Sequence, residues 1–361
     1  MSSSEWKKYK LGDLVKFQRG HDLSKSEFIA GNIPIAGSNG IIGYHNKFTC
    51  KAPCITIGRS GNLGTPHFYN KNIWAHNTTL FIKEFYNSDP RFIYYLLQTL
   101  DLKQFNSGSA VPSLNRNYIH PIEVTAPNFE TQTRIASILS SLDDKIELNR
   151  QTNKTLESIA QTLFKEMCLP KGEELPEGWR VGTLVEVVDI NMGQSPAGTS
   201  YNQVGEGIIF FQGKAEFGFR FPAIDKYTTE PKKYANKFDS LLSVRAPVGT
   251  INMATEKCCI GRGLAAISGK NNCWSFAFYL LKSLSVRFEM YNGEGTVFGS
   301  INKSDLESIE IVIPPKDIIE DFNAIGRSID EFVYINEQET QTLAAIRDSL
   351  LPKLMKGEIE I

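Results

Sequence analysis

One stretch limits the possible folds more than any other. From Glu130 to Met167 the chain reads ETQTRIASILSSLDDKIELNRQTNKTLESIAQTLFKEM, with neither proline nor glycine. In alternating steps of four and three, Ile135, Leu139, Leu142, Ile146, Asn149, Asn153, Leu156, Ala160, Leu163 and Met167 form an apolar stripe with two asparagines at its middle. That is the seam of a coiled coil. It allows an unbroken helix of about 38 residues, roughly 57 Å at ~1.5 Å per residue. At an offset of 187 the pattern returns as Phe322, Gly326, Ile329, Val333, Asn336, Thr340, Leu343, Arg347, Leu350 and Leu354. A helix with one apolar stripe must bury it. Two long helices with matching stripes most simply bury each other, and a polar pair at mid-seam gives up some stability to fix register. The alternative is that each packs on an unrelated globule.

The rest of the chain repeats as well. Trp6-x4-Leu11 with Gly20 matches Trp179-x4-Leu184 with Gly193 at an offset of 173, and Ile55–Arg59 matches Leu241–Arg245 at 186. Phe92–Leu97 matches Phe276–Leu281 at 184; Ser113-Leu114-Asn115 matches Ser300-Ile301-Asn302, and Pro127 matches Pro314, at 187. The second unit is therefore 14 residues longer, mainly before its Arg245 strand. Each globule opens with an amphipathic segment and continues in short, glycine-punctuated runs that read as strands of a mixed sheet. One helix comes late in each. Asp89-Pro90 opens 90–105, and Asn272 caps 273–290. The aromatics there (Phe92, Tyr94, Tyr95; Phe276, Phe278, Tyr279) read as core rather than as stacking platforms for bases. The expected organisation is α+β: two similar globules at 1–127 and 171–314, long helices in 128–170 and 315–361, and a linker at 169–180. The second helix is expected to run antiparallel to the first, giving a pseudo-two-fold body in which the helices act as a ruler.

Length and charge narrow the class. At 361 residues the chain exceeds one compact core. It is 41% hydrophobic and 22% charged, as expected for a folded chain. No apolar run follows MSSSEWKKYK and no stretch of ~18 apolar residues occurs, so neither a secretory signal nor a membrane span is expected, and a cytoplasmic location is the expectation. The net charge of −1 is unevenly spread: residues 1–127 carry +6 and all five histidines, 171–313 carry −1 and 314–361 carry −5. A surface that grips polyanions alone is usually more basic, so a partner is expected to supply part of any phosphate contact. The six cysteines read as reduced core fillers. Cys50, Cys54 and His45 lack a second ligand pair, so no metal is expected. No phosphate-binding loop, methyltransferase box or hydrolase motif is present; Gly207 to Gly213-Lys214 is one residue too long for the first.

The side chains present suit base reading. Arginine bridges guanine, and asparagine or glutamine bridges adenine. The loops that offer them beside glycine contain Ser38, Asn39, Arg59, Ser60, Asn62, Asn115 and Arg116 in unit one, within 37–40, 59–62 and 109–117. In unit two they contain Gln212, Lys214, Arg245, Asn292 and Lys303. For each residue alone, an ordinary turn chosen for its backbone geometry is the competing reading. Arg59 and Arg245 are expected at equivalent strand ends, each facing its own half-site, unless they are buried structural partners.

The wording of the repeat resembles a known family. NFETQTRIASILSSLDDKIELNRQTNKTLESIAQTLFKEM is similar to the spacer of type I restriction-modification specificity (S) subunits, and LLPKLMKGEIEI (350–361) to their C-terminal signature. Trp6-x4-Leu11-Gly12-Asp13 and VPSLNRNYIHPIEVTAP (111–127) are similar to the opening and closing of a target-recognition domain. The resemblance implies a non-catalytic, double-stranded-DNA-binding subunit of a methyltransferase and restriction complex. One half of a bipartite asymmetric site falls to each domain, with the gap set by the helices. It implies two modification subunits, adenine methyltransferases docked on the spacers, and commonly restriction subunits; S-adenosylmethionine, ATP and Mg sit on those partners and no cofactor on this chain. Three departures stand out: Gly326 and Arg347 replace Leu139 and Ala160 at the seam, Val185-Glu186 replaces Gly12-Asp13, and the second domain is slightly acidic. An enzyme acting on DNA by itself and a coiled-coil adaptor that never touches bases are the other classes to weigh.

Overall fold

The computed structural model describes residues 6–105, 112–172, 174–292 and 299–361. Two compact units result: Met1–Asn149 with Gln338–Ile361, and Arg150–Glu337. The division falls in the middle of both long helices, Phe129–Cys168 and Lys316–Met355, so each unit contains a globule and half of each helix.

In the first unit a four-stranded antiparallel sheet has the order Val15–Arg19, Thr79–Phe85, Cys54–Gly58, Pro66–Tyr69. Alternation along a strand sends successive side chains to opposite faces. Ile55 and Ile57 therefore meet the helix Pro90–Gln98 through Phe92, Ile93 and Leu97, all fully buried. Cys54 turns to the other face, with Ala36, Cys50, Ile73, Ala75 and Phe81. That face is covered by a three-stranded sheet, Gly40–His45, Ile33–Gly37, Trp74–Ala75, whose last pair is parallel. A ribbon of Lys7–Lys10 against Glu123–Ala126 joins the chain start to the first long helix.

The second unit repeats the ribbon (Arg180–Thr183 with Glu310–Ile313) and the four-stranded sheet (Val188–Met192, Leu264–Gly269, Ser240–Ser243, Ile251–Met253) strand for strand. Its second sheet has five strands instead of three. The added chain lies between Phe211 and Ser243.

The two late helices start differently. Asp89 caps the first through Phe92 N at 3.0 Å, with Pro90 in the first turn. It ends at Gln98 rather than 105, and a 3-10 turn, Leu102–Phe105, follows. Asn272 does not cap the second. It lies in a 3-10 turn at φ 62°, and Cys273 takes the cap position without a side-chain bond. The free amides of Ser275 and Phe276 instead donate to Asn323 Oδ1 of the second long helix, at 3.1 and 3.3 Å. This helix covers Trp274–Ser283, then breaks at Leu284 into a short turn, Ser285–Glu289.

The long helices run antiparallel within each unit. In the first, Asp143 faces Arg347 at 2.7 Å and Asn149 faces Glu339 at 2.8 Å; in the second, Asn336 Nδ2 donates to Asn153 Oδ1 at 2.8 Å. All twenty seam positions are buried or half-buried. Packing on the globules also contributes: Ile135, Leu139 and Leu354 enter the core of the first unit, and Ala160, Phe164 and Phe322 that of the second. Gly326 is small because a Cβ there would lie 2.3 Å from Ser275 Oγ. Among the described residues no helix is long and apolar enough to cross a membrane.

A polar cluster, half-buried in the first unit and buried in the second, clamps each helix pair to its globule. In the first unit Asp143 accepts from Tyr95 Oη (2.7 Å) and Arg347 Nη1. In the second, Asp330 accepts from Tyr279 Oη (2.9 Å), Ser275 Oγ (2.6 Å) and the fully buried Arg220, whose guanidinium also stacks 4.2 Å over Phe278. Glu157 joins through Arg220 and Lys282. Burial pulls the Arg220 guanidinium towards neutrality, and the charges of Asp330 and Glu157, with the hydrogen bond it donates to Tyr279, outweigh it, so Arg220 stays charged.

Candidate nucleic-acid interface

Strand ends in the first unit bring the base-reading candidates to one edge. The Arg59 amide donates to Thr78 O and its carbonyl accepts from Leu114 N, both at 2.8 Å, while Ser60 bridges Ser113. This joins the Arg59 loop to the loop that enters the short helix Arg116–Ile119. Asn115 caps that helix by accepting from Asn117 N at 2.9 Å, and Asn115, Arg116 and Tyr118 are exposed. Of the candidate stretch 109–117, residues 109–111 lie outside the described residues. Ser38 belongs to the same edge: its side chain lies 3.5 and 3.4 Å from where Cβ atoms on Gly58 and Gly61 would stand. Asn39 beside it is exposed. Asn62 is used locally, accepting from Thr65 Oγ1 at 3.0 Å.

A small polar group borders the edge. Arg59 Nη1 reaches Asn77 O at 3.4 Å, Asn77 donates to Asp22, and Arg19 pairs with Asp22 at 3.3 Å. The Asn77 hydrogen bond, with Arg19 and other positive charge nearby, holds the exposed Asp22 carboxyl below its usual range despite some desolvation. Arg59 is half-buried and its guanidinium is partly committed to the backbone.

In the second unit Val244 N donates to Gly263 O, Ile301 N to Val244 O and Gly263 N to Gln212 O, at 2.9, 3.0 and 3.2 Å. Arg245 bridges Ser300 and is exposed, as are Gln212 and Lys214. Asn292 is a structural residue, accepting from Val248 N at 2.7 Å and donating to Val248 O at 3.0 Å. Lys303 pairs with Glu307 on the surface at 3.4 Å. Residues 293–298 lie outside the described residues.

The ladders correct the alignment of the two arginines. Arg59 N with Thr78 O and Leu114 N with Arg59 O correspond to Val244 N with Gly263 O and Ile301 N with Val244 O. Gly64 N with Gly58 O corresponds to Gly249 N with Ser243 O. Val244 thus stands where Arg59 stands, and Arg245 takes the place of Ser60. A shift of one residue reverses the face a side chain takes, so the two arginines are not equivalent. Arg262 was absent from the sequence candidates. It is exposed, its amide donates to Ser195 Oγ at 3.2 Å, and it occupies the place of Asn77. Its signal was Gly261-Arg262-Gly263, the glycine-flanked cue already used for Arg59.

These features define a duplicated recognition protein: two copies of one scaffold, each presenting different side chains at matching strand ends, joined through two shared helices. The model for the type I restriction modification DNA specificity domain matches residues 3–158 and again 176–347. The MjaX specificity subunit of a type I restriction enzyme from Methanocaldococcus jannaschii is 37% identical over 296 residues, 76% of this chain and 69% of the relative. The MjaIX specificity subunit of the same organism is 27% identical over 304 residues, 75% of this chain and 69% of the relative. The crystal structure of a type I restriction-modification S subunit from M. genitalium shares the fold, with a TM-score of 0.72 over 98% of this chain and 97% of that one at 18% identity. The chain belongs to this family: it is a type I restriction-modification specificity subunit, the non-catalytic component of such a system.

Proposed function

We propose that each unit reads one half of a bipartite, asymmetric DNA site and that the long helices set the number of base pairs between the halves. One observation carries this reading. The same hydrogen-bond ladders hold Arg59 and Ser60 in one unit and Val244 and Arg245 in the other, with Asn77 and Arg262 next to the matching acceptors Thr78 and Gly263. A single scaffold that puts different side chains at matching places suits two different half-sites. Each long helix has 40 residues, about 60 Å at ~1.5 Å per residue, and contributes residues to both units.

The exposed faces of these helices receive two modification subunits, adenine methyltransferases that carry S-adenosylmethionine; restriction subunits with ATP and Mg join where the system cuts. The partners supply much of the phosphate grip, since the second globule is not basic. Co-expression with the cognate adenine methyltransferase, followed by mapping of methylated adenines, tests the assignment. A split, asymmetric motif is expected, and one heptad added to both helices between the units should widen its gap or abolish modification. A continuous palindrome, or an unchanged gap in an active lengthened complex, overturns it. If the recognised sequence survives exchange of residues 1–127, the chain is an adaptor instead.

A further inference from the structure

We infer that Ile41 and Ile42, at the tip of the hairpin Ile33–Gly37/Gly40–His45, make apolar contact with thymine methyl groups in the half-site of the first unit. This rests on the DNA-reading assignment above. The pairing of the two strands slips at the tip: Ile35 faces Gly43 but Ala36 faces Ile41, so Ile42 is an extra residue in a β-bulge. A bulge re-aims a side chain that strict alternation would send elsewhere. Adjacent isoleucines on one strand are here both largely exposed, at 51% and 42%. Gly37 makes the arrangement possible, because a Cβ there would lie 2.7 Å from Ile42 Cγ2. Gly40, at φ +102°, takes the left-handed backbone that closes the turn through Ser38 and Asn39.

A single exposed isoleucine is unremarkable. This pair adjoins the edge just described: two residues away Asn39 is exposed, and Ser38 rests against the Arg59 loop through Gly58 and Gly61. The domain carrying it, residues 1–127, has a net charge of +6, which complements a phosphate backbone. The major-groove face of an A·T pair offers adenine N6 and N7 to an asparagine and a thymine methyl to an apolar side chain. A turn with asparagine at its tip and isoleucines two and three residues later supplies both.

The test uses the full chain assembled with its modification subunits, and duplexes carrying the mapped site in which each thymine is replaced singly by deoxyuridine, which lacks only the methyl group. One or two replacements should weaken binding about fourfold each, the effect of one desolvated methyl. The Ile41→Ser/Ile42→Ser double variant should bind the thymine duplex correspondingly less well and ignore deoxyuridine. Ile41→Val/Ile42→Val should keep part of the response, and equal melting temperatures for all three proteins exclude misfolding. A wild-type complex indifferent to every replacement, or a serine variant with the full wild-type response, overturns the contact. A wild-type complex that binds its site no better than unrelated DNA would instead remove the reading on which the contact rests.

Discussion

The two units solve one electrostatic problem with arginines from different places. Tyr95 with Asp143 and Tyr279 with Asp330 are matching pairs of the repeat, each tying a globule helix to a long helix. Either aspartate needs a cation once buried. In the first unit it comes from the opposite long helix, as Arg347. The matching position for the second unit is Ala160, which is fully buried, and the cation comes from the globule, as Arg220. Arg220 lies in the stretch that lengthens the second unit, so the extra chain fills a gap left by the helix. A globule exchanged into the first position meets an aspartate already paired. One exchanged into the second must bring its own arginine.

Arg220→Ala should break that comparison most sharply. It leaves Asp330 and Glu157 buried with too little positive charge, and breaking a buried pair costs about 3–5 kcal/mol. Denaturant unfolding of the whole chain should show the second unit melting early and the first unchanged. Asp330→Leu added to Arg220→Met should recover much of the loss. A cost for Arg220→Ala near that of an ordinary surface change would mean that the cluster is not a clamp. Arg347→Ala should cost less, roughly 1–2 kcal/mol, since its side chain is 27% exposed and water can reach Asp143. Equal costs would show that the source of the arginine is immaterial.

The helices were the most legible part of the chain because a seam is a local periodicity, and all twenty of its positions lie inward. The Asp89 cap was legible for the same reason, its donor being three residues away. The Asn323 cap was not, because its donors are 47 and 48 residues distant. Arg220 gave little signal: FGFRFP reads as a strand with a charge, and only the fold brings Asp330 to it. At the candidate interface the loops could be chosen from glycine and polar residues. The one-residue slip between Arg59 and Arg245 could not, since it is fixed by hydrogen bonds to the turn residues Thr78 and Gly263, which similarity along the chain does not reveal.

The caps sharpen the comparison at a smaller scale. Asp89→Ala and Asn323→Ala each remove a side chain that satisfies amides in the first turn, and each should cost about 1 kcal/mol. The second should also loosen the helix pair, because Asn323 belongs to the long helix and not to the helix it caps. Hydrogen exchange at Ser275 and Phe276 should rise in Asn323→Ala, with no change at Phe92. Protection that persists would mean that Asn323 is not the cap.

The smallest expected difference is a response to pH. His120 Nε2 accepts from Phe17 N at 3.1 Å, which requires a neutral ring. Burial, with Arg116 nearby, holds its pKa below the ordinary 6.5. The unfolded chain then takes up the proton first as pH falls, so this part of the stability is present above pH ~6.5 and is lost as pH drops from there through the folded-state value. Residues 171–361 contain no histidine, so the second globule has no counterpart to this loss. Between pH 7.5 and 5.5 the unfolding of the first unit should move to lower denaturant while that of the second holds nearly still, and His120→Gln should flatten the difference. If the slope is unchanged in that variant, the proton is taken up elsewhere and the Phe17 contact does not depend on the neutral ring.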